Sequence, residues 1–148
     1  MQGSQQFKLD QPGLMKAGPV AVIVGAVSGA LYIVLGLWSI ASLLGWIVPI
    51  FAGAWYVMTV RKGGSMPSQM DGIVNGAILG AVTGLAHGIL ALITAPIALN
   101  SALGGFGGLV GLGGYGIGSL ITQLIGGAVG GAVGAFGYAF LVQQGTIK

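Results

Sequence analysis

The chain has 148 residues, of which 55% are hydrophobic, 31 are glycine and only seven, five basic and two acidic, are charged. A soluble domain carries about 25% charged residues, so these few charges cannot coat a water-soluble enzyme, and the apolar content excludes a disordered chain. With no cysteine there is no thiolate chemistry or disulfide, and five scattered cations are too thin for a nucleic-acid surface, which leaves an integral membrane protein.

The charges divide the chain. Met1 to Gly18 is polar, with Lys8, Asp10 and Lys16, and reads as a short cytoplasmic tail. It lacks the charge, apolar run and small-residue site of a signal peptide, so the first span is expected to stay as an uncleaved anchor. Ala17 to Val60 carries no charge. As a single helix it would reach about 66 Å, roughly twice the ~30 Å hydrocarbon core, so it must fold back near Gly36 to Ser42. Spans are therefore expected near 19–38 and 41–60, with Pro19 in the first turn of one and Pro49 kinking the other.

Arg61 to Asp71 is a polar loop in which Ser68 or Asp71 is placed to cap the next helix. Gly72 to Ile147 is again free of Asp, Glu, Lys and Arg, and holds two further spans, near 72–94 and 118–140. Between them, 95–117 is an apolar outer loop broken by glycines, a poor helix at about 1 kcal/mol per glycine. It wants cover from the interface or from a partner protein. This layout puts every lysine and arginine on one side, so the positive-inside rule sets both termini in the cytoplasm of a plasma-membrane protein. The fold expected is all-α and polytopic: four transmembrane helices as two antiparallel hairpins, packed as a glycine zipper.

That packing is expected from spacing. Gly72, Gly76, Gly80, Gly84 and Gly88 recur at every fourth position and form one groove along the third span. Gly118, Gly126, Gly130 and Gly134 do the same in the fourth, and Gly25 and Gly29 in the first. In lipid, burying leucine between helices gains little, whereas small residues let backbones approach. Faces on three helices point to tight internal packing together with association, either with other membrane subunits or with copies of the chain.

His87 is the one side chain with chemistry to offer inside the bilayer. It lies within the arc of the glycine row, on the side of Thr83, and helix depths put it level with Thr122 and Gln123. One reading is a structural polar cluster of Thr83, His87, Thr122 and Gln123. A second makes His87 the cofactor-binding ligand of a haem or chlorophyll-type pigment, with Gly84 and Gly88 leaving room for the macrocycle. A third is a proton relay, which the absence of any mid-span acid disfavours. No cofactor is required by the sequence, although bound lipid is expected. One histidine and two distant acids do not make a metal site, and no serine has a histidine–acid partnership.

The run AGAWYVMTVRKGGSMPSQMDGIVNGAILGAVTGLAHG, within Phe51–Gly88, resembles a pattern in small four-span prokaryotic membrane proteins of unknown function. There a glycine-bearing helix ends in a tyrosine and a basic pair, followed by a Gly/Ser turn and an Asp-Gly that opens a small-residue helix. Here these are Tyr56, Arg61-Lys62, Gly63-Gly64-Ser65 and Asp71-Gly72. The resemblance implies a four-helix, hairpin-pair architecture and no activity. The function expected is a non-catalytic accessory subunit of a larger membrane assembly. The alternatives are a pigment- or haem-associated subunit, a homo-oligomeric pore, and a virion or envelope scaffold.

Overall fold

A computed structural model describes residues 7–104 and 116–147, and among these it is helical, without strands. Its helices are α1 (Gln11–Ala30), α2 (Trp38–Lys62), α3 (Gln69–Leu103) and α4 (Ile117–Gln143). All four are long and apolar enough to cross a membrane.

The first helix starts eight residues before the expected boundary at 19. Asp10 caps it, its carboxylate accepting from the Gly13 N–H at 3.1 Å, and Pro12 sits in the first turn, where no N–H is needed. Pro19 is inside the helix. The reversal comes correspondingly early, through two short 3₁₀ turns, Leu31–Ile33 and Leu35–Leu37. Aromatic side chains brace this turn: the Trp38 indole donates to the Tyr32 carbonyl at 2.8 Å, and the Tyr32 hydroxyl bonds Ser42 Oγ at 2.8 Å.

α2 runs through Pro49 and ends with Arg61 and Lys62 in its last turn, where cations suit the helix dipole. Ser68 then caps α3, accepting from the Asp71 N–H at 3.1 Å and donating to the Asp71 carboxylate at 2.7 Å. α3 continues past 94 and through Pro96 to Leu103, so the first part of the expected 95–117 loop is helix. Residues 95–103 are mainly Ala, Ile and Leu, and the dense glycines begin only at Gly104, whose φ is +67°. The rest of that loop, 105–115 with Tyr115, lies outside the described residues, as does Lys148.

α3 is the central element and packs on the other three helices. Facing positions give the directions. Gly25 and Gly29 of α1 meet Thr83 and His87, so α1 and α3 run parallel. Gly76 and Gly84 meet Gly131 and Gln123, so α3 and α4 run antiparallel. Segment 7–10, the end of α2 and the start of α3 gather at one end of the bundle, called the charged end below. Large apolar side chains such as Ile23, Phe51, Val82, Ile125 and Phe140 face outward, the distribution expected of a bundle with an apolar solvent.

Candidate functional site

The centre of the molecule is a polar knot around His87, which is 1% exposed. Its Nδ1 lies 2.8 Å from Ser28 Oγ, and Ser28 Oγ donates to the Gly25 carbonyl at 2.7 Å. A hydroxyl has one proton. Since that proton goes to Gly25, Ser28 accepts from the ring, which places the imidazole proton on Nδ1 and leaves a lone pair on Nε2. Among the described residues Nε2 has no hydrogen-bond partner. It abuts α2 instead, where a β-carbon on Gly45 would sit 2.8 Å from it. The Tyr32 ring meets the imidazole edge-to-face at 5.8 Å between centroids. One side chain of α3 thus joins α1 through Ser28, α2 at Gly45 and the connecting turn through Tyr32.

The expected cluster of Thr83, His87, Thr122 and Gln123 is not brought together. Thr83 is buried but donates to the Leu79 carbonyl of its own helix at 2.8 Å. Thr122 is exposed and donates to the Gly118 carbonyl at 3.0 Å, and His87 takes Ser28 in place of Gln123. Helix depth alone put these groups level, but α3 turns His87 towards α1 and α2 rather than α4.

The same geometry bears on a macrocyclic ligand. Axial ligation needs an imidazole lone pair with open space before it. The lone pair is present on Nε2, but a macrocycle there would occupy the volume of α2 at Gly45. The room expected beside Gly84 and Gly88 is taken by the Gln123 carbonyl and by the side chains of Leu120 and Gln123. A haem or chlorophyll-type pigment does not fit His87 in this packing.

The glycine rows are placed unevenly. A β-carbon on Gly76 or Gly80 would meet the carbonyl of Gly131 or Gly127, and one on Gly84 that of Gln123. Gly25 and Gly29 are filled by the carbonyls of Thr83 and His87. In α4 two rows divide the work: Gly127 and Gly131 face α3, while Gly126, Gly130 and Gly134 face Trp46, Pro49 and Ile50 of α2. Two expected packing positions differ. Gly118 has open space before it, and Gly72 has only the Val57 and Pro67 side chains, 3.8 and 3.9 Å away.

A second polar group, unread in the sequence, closes the charged end. The buried Asn75 side chain donates to the Lys8 carbonyl at 3.0 Å and the Asp71 carbonyl at 2.8 Å, and accepts from the Asp10 N–H at 3.0 Å. The Tyr56 hydroxyl donates to Asp10 at 3.0 Å, and the Lys8 N–H to Asp71 at 2.6 Å. Segment 7–10 is thereby strapped across α2 and α3. Ser28 and Asn75 carry one signal that sequence reading can use: a polar side chain in an otherwise apolar span is expected to face protein.

Among the described residues no group of three His, Asp or Glu side chains stands close enough to hold a metal ion. Comparison with protein-family models, curated proteins and solved structures yields no match.

Proposed function

We propose that this chain is a non-catalytic accessory subunit that packs within a larger membrane assembly, with its charged end and both termini in the cytoplasm. The observation that carries the reading is the position of His87. The single side chain able to ligate or move a proton within the spans is closed in as a tie between helices, with Ser28 on one nitrogen and Gly45 against the other. Among the described residues the buried Ser28, Asn75, Thr83 and Thr94 side chains also bond within the chain, Thr94 to the Gly29 carbonyl at 3.1 Å. The molecule then has a rigid small-residue interior and an apolar exterior to offer, which suits a helical filler or spacer better than a catalyst. The positive-inside rule supports the orientation, since the cations of the tail and of Arg61-Lys62 share one end.

Extraction from the native membrane in a mild detergent, followed by native mass spectrometry, tests the assembly. A complex of this chain with another membrane subunit is expected. A protomer that leaves the membrane alone under the gentlest conditions overturns the proposal.

A further inference from the structure

At the charged end the bundle leaves a lateral groove between α1, α2 and α4. Its volume is about 360 Å³, within the ~300–1,000 Å³ range of small-molecule pockets. Small residues, Ala52 among them, form its floor, and Val24, Phe51, Trp55, Met58 and Tyr138 form its walls. Val24 and Phe51 are exposed, so the groove opens to the side, towards the surrounding acyl chains rather than along the bundle axis. An acyl chain gains only packing contact by entering it, because the lipid it leaves is equally apolar. Selection of one lipid over another has to come from the headgroup.

The stripes that line the groove end in charge. On α2, Phe51, Trp55 and Met58 are followed one turn on by Lys62, whose ammonium stands 6.0 Å from the centre of the Trp55 ring. On α1, Val24 and Val20 are followed one turn nearer the charged end by Lys16. Both lysines are exposed, and neither makes an ion pair with a carboxylate among the described residues. The reason is local. The only two acids in the sequence are already engaged, Asp10 by the Gly13 N–H and the Tyr56 hydroxyl, and Asp71 by the Lys8 N–H and Ser68. The Trp55 indole N–H, enclosed in this wall, also has no acceptor among the described residues.

We propose that this groove is the seat of an anionic glycerophospholipid, with one acyl chain between Val24, Phe51 and Tyr138 and its phosphate held by Lys16 and Lys62. The site needs no partner subunit and stands independently of the assembly proposed above.

The test reconstitutes the purified full chain in phosphatidylcholine vesicles doped with bromine-labelled lipid, either phosphatidylglycerol or phosphatidylcholine with identical chains. Bromine quenches a tryptophan that it touches. Trp38→Phe and Trp46→Phe combined in one chain remove the two indoles outside the groove and leave Trp55 as the only tryptophan. Labelled phosphatidylglycerol is expected to quench Trp55 at a mole fraction up to about 25-fold lower than labelled phosphatidylcholine, roughly five-fold for each of the two lysines. Lys16→Gln with Lys62→Gln should make the two lipids equivalent, whereas Lys8→Gln, which removes one charge outside the groove, should keep the preference, and Lys16→Gln or Lys62→Gln alone, with that same loss of one charge, should weaken it. Equal quenching by both lipids in the parent chain, a preference that survives the double lysine substitution, or no quenching by either lipid would each overturn the site.

Discussion

At the scale of single residues, the contact between His87 and Gly45 separates two contributions to the knot, a hydrogen bond and a steric fit. The hydrogen bond to Ser28 is the smaller contribution: side-chain bonds between membrane helices average about 0.6 kcal/mol and reach about 1.7. Ser28→Ala is therefore expected to lower the unfolding free energy by ~0.5–1.5 kcal/mol in a detergent-titration assay. Gly45→Ala is expected to cost more, because its β-carbon meets Nε2 at 2.8 Å and the ring is pinned from behind by Tyr32. His87→Asn keeps a donor near Ser28 while removing the ring edge that faces α2, so it should relieve Gly45→Ala. A double-mutant cycle should then give a coupling of about 1 kcal/mol or more, whereas additive costs would show that ring and helix do not bear on each other. The knot itself was only half legible. A lone histidine inside a small-residue arc signalled a protein-facing side chain, but its partner Ser28 is 59 positions away on a helix whose neighbours no periodicity specifies.

At the scale of helices, the number of long apolar helices could be read directly, because uncharged stretches bounded by Lys16, Arg61 and Asp71 have room for four and no strand pattern competes. Boundaries were less legible where proline gives two signals. Pro19 suits a first turn, yet the stronger start is Asp10 with Pro12, and the end expected at 94 falls inside a helix that runs through Pro96 until glycine takes over at Gly104. Spacing likewise showed that small residues line three helices without showing which of them meet another backbone. That difference is testable. Gly80 lies against the Gly127 carbonyl, so Gly80→Val must push α3 and α4 apart and is expected to cost several kcal/mol, in the range of overpacked cores (~1–3) or above. Gly118→Ala adds a methyl to open space and should be neutral or stabilise α4 by up to ~1 kcal/mol. Thermal unfolding in one detergent separates the two, and equal effects would mean that the α3–α4 contact is looser than described.

At the scale of the whole molecule, the strap at the charged end joins the first described residues to α2 and α3. Asn75→Ala removes the acceptor of the Asp10 N–H and the donor to the Lys8 carbonyl together. Backbone amides of segment 7–10 are then expected to exchange hydrogen at least ten-fold faster, while those of α4 keep their protection; unchanged exchange at Asp10 would show that the strap holds without Asn75. The wiring of this strap also has a consequence for how the chain is made. Asp10 finds the Tyr56 hydroxyl 46 positions later and the Asn75 amide 65 positions later, and Ser28 must wait for His87. During synthesis α1 therefore emerges with these groups unanswered, and it reaches its final seat only after α3 has left the ribosome. A chain halted at the Gly63-Gly64 turn would be an unfinished pair, with α1 and α2 still lacking the Asn75 and His87 contacts that α3 brings.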